Sequence, residues 1–146
     1  MRIFLVRHGS ASDGLTLFGQ SQIFETANFL KSLGLDTSKI ILLTSQLCRA
    51  VETAEIIQKT LGLSEVFTKS WLTRKTEENT ATILAQFAAD HPDLVAVIAV
   101  SHRPEIEVLL DDLGFYSTRF VDTPNGSVYE IEFPTKAVTR LFVPSR

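Results

Sequence analysis

IFLVRHGSASDGLT, residues 3–16, is the stretch that decides the fold, because four apolar residues lead directly into Arg7, His8 and Gly9. The run Ile3–Val6 is short, aliphatic and followed by a polar loop, which is typical of a buried parallel strand. Further apolar runs predict more strands, at Ile40–Leu43, at Leu94–Val100 and, more weakly, at Glu65–Thr68. An arginine and a histidine side by side where a buried strand ends are candidates for a binding site.

Helical spacing of apolar residues fills the segments between these strands. Apolar residues recur every three or four positions in three groups: Ile23, Ala27, Leu30 and Leu33; Ala50, Ala54, Ile57 and Leu61; Ile83, Phe87 and Ala88. Thr16 is predicted to cap the first helix and Gly19 to allow close packing, while Gly34 and Gly62 are predicted helix stops. A fourth helix is predicted from about Pro104 to Asp112.

The C-terminal part of the chain has the alternating pattern of a hairpin. In VYEIEF the residues Tyr129, Ile131 and Phe133 share one face, and a turn then leads to TRLFV. Strands that alternate with helices predict an α/β fold with three layers, in which a mainly parallel central sheet is flanked by helices and C-terminal hairpin strands. The whole chain, 1–146, is predicted to form one domain.

Composition excludes several classes of protein. The chain has 146 residues, of which 45% are hydrophobic and 21% are charged, so it can bury a core. A formal net charge of -3 gives no general basic surface, so no nucleic-acid partner is expected and an anion site must be local. The first apolar run is too short for a signal peptide or a membrane span, so we expect a cytoplasmic protein with no membrane partner. A single cysteine excludes an internal disulfide.

Charged side chains follow three of the predicted strands. Arg7 and His8 follow the first strand, Arg49 lies in the TSQLCRA segment after the second, and His102 follows the strand VAVIAV. In open α/β sheets ligands bind beyond the carboxyl ends of the strands, so these side chains are expected to converge. Two arginines offer forked donors to phosphate oxygens, and an imidazole beside them is biased toward its neutral, nucleophilic form. The sequence therefore predicts a phosphoryl site.

Each of these residues has a more common structural interpretation when it is taken alone. A lone histidine is more often a hydrogen-bonded structural residue, and a lone arginine more often solvates a strand end or a helix surface. Ser45 is predicted to cap the second helix, Cys48 to be a small buried residue, and His91 to end a helix. Gly9 is predicted to allow close backbone approach or an unusual φ. The expected convergence of Arg7, His8, Arg49 and His102 favours the functional interpretation of these four residues.

These residues carry a resemblance to a known family. The following motifs occur in the order and spacing of the histidine phosphatase superfamily, also called phosphoglycerate mutase-like: LVRHG, LTLFGQSQ, TSQLCRAVETAEII, VSHRPEIEVLL and NGS. The combination covers nearly the whole chain. The short chain leaves little beyond the core elements, and in this it resembles the compact phosphohistidine phosphatases of the SixA type.

The resemblance implies a role for each matching residue. His8 would be the nucleophile that forms a phosphohistidine, Arg7 and Arg49 would clamp the phosphate with Gly9 beside them, and His102 would stabilise the phosphoryl group in the transition state. No metal and no cofactor are implied. The expected site is open, because no insertion covers it.

The sequence departs from the family pattern at the general acid. Many members have Glu directly after RHG, where this chain has Ser10. Glu77 is the candidate acid, with Glu78 and Asp13 as alternatives, and the chain can also lack one. Phosphohistidine has a better leaving group than an alkyl phosphate and needs less help from an acid, so this departure favours it. Arg103 either extends the anion pocket or points to solvent.

Three functions remain open from the sequence. The favoured one is a phosphohydrolase that removes phosphate from phosphohistidine on a partner protein. The second is a phosphatase of a small phosphorylated metabolite. The third is a catalytically silent phosphate-binding module that keeps the pocket without a competent acid.

Overall fold

A computed structural model describes residues 1–73, 79–114 and 123–145 of the chain. The strands of these segments are β1 (Arg2–Arg7), β2 (Ile40–Thr44), β3 (Phe67–Thr68), β4 (Ala96–Ser101), β5 (Val128–Glu132) and β6 (Ala137–Phe142). The α-helices are α1 (Leu17–Ser32), α2 (Cys48–Leu61), α3 (Thr80–Asp90) and α4 (Glu105–Asp112). In the described segments, no helix has the length and apolar character that a membrane span requires.

All six strands belong to one sheet with the order β3-β2-β4-β1-β5-β6. β3, β2, β4 and β1 are parallel, whereas β5 runs antiparallel to β1 and β6 antiparallel to β5. Arg7 at the end of β1 is paired with Ser101 at the end of β4, and Thr44 at the end of β2 is paired with Val100. The residues that follow these three strands therefore emerge at the same edge of the sheet.

Two separate cores lie on the two faces of the sheet. Alternate residues of each strand point to opposite faces, so Phe4 and Val6 pack on one side and Ile3 and Leu5 on the other. The first core includes residues of α1 and α2, namely Ile23, Ala27, Leu30, Ala50, Ala54 and Ile57. The second includes residues of α3 and α4, namely Ala81, Leu84, Ala88, Ile106, Leu109 and Leu110. The predicted three-layer α/β architecture is confirmed.

The start of α1 and the ends of α1 and α2 follow the predicted signals. Thr16 caps α1, and its hydroxyl accepts a hydrogen bond from the N–H of Gly19 at 2.9 Å. Gly34 follows α1 with a φ of 66°, and Gly62 ends α2 with a φ of 74°, both in the left-handed region that favours glycine. α4 begins one residue later than predicted, since Pro104 is its N-cap.

The C-terminal hairpin is also confirmed, whereas β3 is shorter than predicted. β5 and β6 pair antiparallel, and Tyr129, Ile131 and Phe133 are all buried in the second core. The predicted strand at Glu65–Thr68 is reduced to Phe67–Thr68, which pairs only with β2 at the edge of the sheet.

Candidate active site

The two histidines predicted for the site lie side by side at the carboxyl edge of the sheet. His8 directly follows β1 and His102 directly follows β4, and the centroids of their rings are 5.1 Å apart. Both are buried, with 7% and 2% of their surface exposed. The register of the central strands thus brings together two residues that are 94 positions apart in the sequence.

The contacts of His8 define which of its nitrogens carries the proton. Its Nδ1 lies 2.7 Å from the carbonyl oxygen of Gly9, which can only accept a hydrogen bond, so Nδ1 is the donor. Its Nε2 accepts a hydrogen bond from Nε of Arg49 at 3.3 Å. The Nε2 atom therefore holds a lone pair beside a guanidinium group, which is the arrangement that a nucleophile toward phosphorus requires.

Arg49 reaches this position from the first turn of α2. The helix begins at Cys48, and Thr53 one turn later links it to the strand end, because its Oγ1 accepts from the N–H of Gly9 at 3.2 Å and donates to the carbonyl of Arg49 at 2.8 Å. Thr53 was not singled out from the sequence, although it lies in the quoted motif TSQLCRAVETAEII. It ties the loop that carries His8 to the helix that carries Arg49.

Gly9 is required by close packing. A Cβ atom at this position would lie 2.6 Å from the carbonyl oxygen of Gly19 and 2.9 Å from Cγ1 of Ile23. The predicted close approach is therefore found, with the start of α1 as the neighbour. Since the N–H of Gly9 donates to Thr53 and its carbonyl accepts from His8, Gly9 fixes the orientation of His8. A direct contact of Gly9 with phosphate stays a prediction.

Burial keeps both imidazoles neutral. It lowers the pKa of His8 below its ordinary value, and the charges of Arg7 and Arg49 lower that pKa further, against the opposing effect of the bond to Gly9. Burial likewise lowers the pKa of His102 from 6.5 to about 4, with smaller contributions from His8, Arg49 and Arg7. The sequence predicted the neutral form from the neighbouring arginines, but the structure makes burial the larger cause.

Arg7 and the segment before β5 close the site on the other side. Nη1 of Arg7 donates to the carbonyl of Thr123 at 2.5 Å, and the N–H of Gly126 donates to the Arg7 carbonyl at 3.0 Å. Nδ2 of Asn125 donates to the carbonyl of His8 at 3.1 Å. The NGS motif therefore holds the backbone of the two strand-end residues, a role that the sequence alone did not assign.

A cleft of about 380 Å³ opens next to Arg7. It is lined by Arg7, Phe18, Gln22, Arg103, Pro124, Asn125, Val143 and Pro144. Arg103 lies at this cleft and forms an ion pair with Glu107, which also accepts from Oγ1 of Thr123 at 3.1 Å. Arg103 thus lines the cleft while 40% of its side chain is exposed, and whether it extends the anion pocket stays a prediction.

The prediction that Ser45 caps α2 is wrong. Leu47 is the N-cap residue of α2 and makes no side-chain cap hydrogen bond. The hydroxyl of Ser45 instead lies 2.5 Å from Nε2 of His102. Because Ser45 directly follows β2, it sits three residues before the helix and faces the neighbouring strand end.

The prediction that Cys48 is buried is also wrong. Cys48 is exposed at the first position of α2, and its Sγ donates to Oε1 of Glu52 at 2.9 Å. Its neighbour Arg49 lies on the face of α2 that contacts His8. Cys48, one position earlier on the helix, therefore faces outward. The interpretation of His91 as a helix-end residue is confirmed, since its Nδ1 hydrogen-bonds to the carbonyl of Phe87 at the end of α3.

The candidate general acids are not joined to the histidines. Asp13 is exposed in the loop after β1. Glu77 and Glu78 lie outside the described residues. Within the described part of the chain, no carboxylate is hydrogen-bonded to His8 or His102, and no group of three His, Cys, Asp or Glu residues is placed to hold a metal ion. The identity of the acid therefore stays a prediction.

Comparisons with known proteins place the fold. No protein-family model matches the sequence, and no curated protein matches it either. Solved structures do match. The protein histidine phosphatase SixA in complex with tungstate is 23% identical, with a TM-score of 0.72 over 99% of this chain and 97% of that chain.

Two phosphatases that are named for small phosphorylated molecules also match over 99% of this chain. A mycobacterial glucosyl-3-phosphoglycerate phosphatase in complex with VO3 is 17% identical, with a TM-score of 0.73 over 99% of each chain. A mutant of the phosphoserine phosphatase from Entamoeba histolytica in complex with phosphoserine is 18% identical, with a TM-score of 0.70 over 99% of this chain and 96% of that chain. With its sheet order, its two flanking helix layers and its strand-end histidines, this chain has the fold of the histidine phosphatases.

Proposed function

We propose that this protein is a phosphatase that works through a phosphohistidine at His8 and acts on phosphohistidine in a partner protein. The observation that carries the proposal is the state of His8: its ring proton is on Nδ1, and its Nε2 lone pair lies beside the guanidinium of Arg49. A binding site for phosphate alone needs donors, whereas this site presents a nucleophile among the donors.

The first chemical step transfers the phosphoryl group to His8. The Nε2 lone pair forms the N–P bond, the P–N bond to the substrate imidazole breaks, and the departing nitrogen takes a proton from water. Arg7 and Arg49 bind the phosphoryl oxygens, whose charge is largest in the transition state. Burial lowers the pKa of His102 to about 4, so in the free protein its ring is neutral and is available to the phosphoryl group as a hydrogen-bonding group.

The second step returns the enzyme to its starting state. Water attacks phosphorus and the P–Nε2 bond breaks; one proton of the water stays on the phosphate, and the other neutralises the hydroxide that the first step left in the solvent. Because the carbonyl of Gly9 keeps the proton on Nδ1, the phosphorylated ring of His8 is cationic, and a cationic ring is a good leaving group. The contact between His8 and Gly9 thus supports both steps.

The cleft beside Arg7 favours a protein substrate. Four of its lining residues are apolar, namely Phe18, Pro124, Val143 and Pro144. Phe18 is 52% exposed and its neighbour Leu17 is 84% exposed. These side chains form an apolar rim next to Arg7, which is a hydrogen-bond donor for phosphate. Such a rim suits the side chains that flank a phosphorylated residue better than it suits the hydroxyl groups of a sugar phosphate.

A metabolite phosphatase is the second candidate, and a specific observation supports it. Phosphatases named for glucosyl-3-phosphoglycerate and for phosphoserine align with this chain over nearly its whole length, as SixA does. The compact size of the chain therefore does not separate the two substrate classes. Only the rates with the two kinds of substrate can separate them.

The experiment is a substrate panel on the wild type and two variants. We expect fast release of phosphate from a phosphohistidine peptide, slower release from an aryl phosphate, and little from phosphoserine or a glycerate phosphate. His8→Ala should lose at least about 10³-fold in turnover and lose the acid-labile, base-stable label that quenching traps on the wild type. His91→Ala, a histidine at the end of α3, is the matched control and should keep both.

Each other result has a defined meaning. Label on Cys48, or full activity without His8, would refute the mechanism. Phosphate binding without turnover of any substrate would favour the silent binding module. Efficient hydrolysis of an alkyl phosphate that falls by about 10² to 10⁴ in Asp13→Asn, Glu77→Gln or Glu78→Gln would identify the acid and favour the metabolite phosphatase.

A further inference from the structure

Ser45 and His102 form a buried pair between two neighbouring strand ends. Ser45 directly follows β2 and His102 directly follows β4, and Oγ of Ser45 lies 2.5 Å from Nε2 of His102. Ser45 is 0% exposed and His102 is 2% exposed. Since α2 is not capped by Ser45, the serine hydroxyl is committed to the imidazole.

The direction of this hydrogen bond follows from counting donors and acceptors. If Nε2–H donated to Ser45, the serine proton would need another acceptor, and none of the described residues provides one. The Nδ1 lone pair would also be left without a partner. If Ser45 donates to Nε2, only the Nδ1–H group is left unpaired. Buried polar groups without partners are costly, so donation by Ser45 is the favoured direction.

The remaining nitrogen of His102 has a chemistry of its own. Nδ1 is buried and has no hydrogen-bond partner among the described residues. The low pKa of His102 keeps the ring neutral, so it carries a single ring proton, which lies on Nδ1 when Ser45 donates to Nε2. A buried N–H group without an acceptor, in a ring 5.1 Å from that of His8, is a donor suited to an anion.

We propose that Ser45 is a positioning residue: its hydroxyl donates to Nε2 of His102, holds the ring proton on Nδ1, and so prepares Nδ1–H to donate to a phosphoryl oxygen. The second half of this statement rests on the proposed function, because it takes the phosphoryl group as the acceptor. The first half concerns the protein alone. The two halves can therefore be tested separately.

Nitrogen-15 NMR of the histidine rings tests the tautomer in the whole protein. In the wild type at pH 7 we expect the His102 signals of a ring protonated at Nδ1, and in Ser45→Ala a shift toward the other tautomer or a mixture. Ser101→Ala is the matched control, because it removes a buried serine hydroxyl next to His102 that donates to the carbonyl of Leu72. Its His102 signals should stay those of the wild type.

Turnover and phosphate binding then test the role of the tautomer. With an aryl phosphate, Ser45→Ala should lower kcat by about 10- to 100-fold with a small change in KM, since the lost donor acts on the transition state. Thermal unfolding should show that the variant is folded. Addition of vanadate should move the Nδ1 signal of His102 in the wild type.

Several results would overturn the proposal. A wild-type ring protonated at Nε2, or a Ser45→Ala spectrum identical to that of the wild type, would refute the tautomer. An Nδ1 signal that does not respond to vanadate, or equal losses of kcat in Ser45→Ala and Ser101→Ala, would refute the donor role. Failure of the proposed function shows up differently: His8→Ala would keep activity, while the NMR result on the tautomer would be unaffected.

Discussion

Two clefts of about 380 Å³ each open at opposite ends of the parallel strands, and different residues line them. We call the end where these strands finish the carboxyl edge and the end where they begin the amino edge. The cleft at the carboxyl edge contains Arg7, Gln22, Arg103 and Asn125 beside its apolar residues. The cleft at the amino edge is mostly apolar, lined by Met1, Ala85, Ala88, Ala89, Pro92, Leu94, Phe133, Pro134 and Lys136. Equal volume therefore does not make equal sites. What distinguishes the carboxyl edge is the number of directed donors that converge there.

The direction of the strands explains the difference. The carboxyl ends of β1, β2 and β4 meet at one edge, and each is followed by a residue with a polar side chain, namely His8, Ser45 and His102. The start of α2 is at the same edge and contributes Arg49. At the amino edge the side chains that line the cleft come from Met1, from α3 and the turn after it, and from the turn between β5 and β6, and they are mostly apolar. The comparison predicts that equivalent substitutions at the two edges have unequal effects.

The largest difference is expected between two arginines. Arg49→Lys should weaken vanadate inhibition, because lysine lacks the planar fork that grips two phosphate oxygens. Full loss of the charge-assisted contact, as in Arg49→Ala, is worth about 1.5 to 3 kcal/mol, a tenfold to hundredfold change in the inhibition constant, and Arg49→Lys should lose part of it. Arg2→Lys is the matched control at the amino end of β1, where Arg2 pairs with Glu130 at 2.6 Å. It should leave vanadate inhibition unchanged.

Arg49→Ala sharpens the same comparison. It should weaken vanadate inhibition at least as much as Arg49→Lys does, because it removes the charge as well as the fork. If both Arg49 variants are inhibited as strongly as the wild type, Arg49 does not bind the phosphoryl group. If Arg2→Lys weakens inhibition as much as Arg49→Lys, the two edges do not differ as proposed.

The elements that carry these residues were predictable from the sequence. The apolar run Ile3–Val6 and the run in VAVIAV are typical of buried parallel strands, and both are central parallel strands in the structure. Strand direction then placed His8 and His102 at one edge without any knowledge of their contacts. Thr16 and Gly62 act locally, through a cap and a positive φ, so their roles also followed from sequence.

The failures concern residues whose role depends on a distant partner. Ser45 lies three residues before α2 and has a good capping side chain, but its partner is His102, 57 positions later. Cys48 is of a residue type that is often buried, but its position on α2 is set by Arg49, which must face His8. The depth of burial that lowers both histidine pKa values depends on the packing of whole layers, and a pattern of residue types does not report it.

Buried neutral histidines make the stability of the protein depend on pH. In the unfolded chain a histidine takes up a proton near pH 6.5, whereas folded His102 does so only at about pH 4. Between these values the unfolded state binds more protons, so the free energy of unfolding should fall as the pH is lowered, by up to about 1.4 kcal/mol per pH unit for this residue. His8, whose pKa is also lowered, acts in the same direction.

Denaturant unfolding between pH 7 and pH 4 measures this effect. His102→Gln should make the free energy of unfolding depend less on pH in this range, because glutamine takes up no proton. The comparison of the two edges predicts that the buried histidines of the carboxyl edge cause this pH dependence. His8→Gln should therefore also make the free energy of unfolding depend less on pH. An unchanged slope in both variants would contradict the assignment of buried, neutral imidazoles to the site.

The smallest expected effect concerns substrate recognition and uses two phenylalanines of α1. Phe18 and Phe24 are 52% and 53% exposed, but only Phe18 lines the cleft at the carboxyl edge. If the apolar rim contacts the residues that flank phosphohistidine, Phe18→Ala should raise KM for a phosphohistidine peptide by about 3- to 10-fold, roughly 1 kcal/mol. Phe24→Ala removes the same ring at nearly the same exposure and should leave KM unchanged.

Inhibition by vanadate separates recognition of the peptide from binding of the phosphate. Vanadate occupies only the phosphoryl site, so its inhibition constant should be the same in the wild type, Phe18→Ala and Phe24→Ala. A rise in KM for the peptide with constant vanadate inhibition assigns Phe18 to the flanking segment of the substrate. Equal KM values for both variants would remove the rim from substrate recognition, and the cleft would then distinguish the carboxyl edge only through its polar residues.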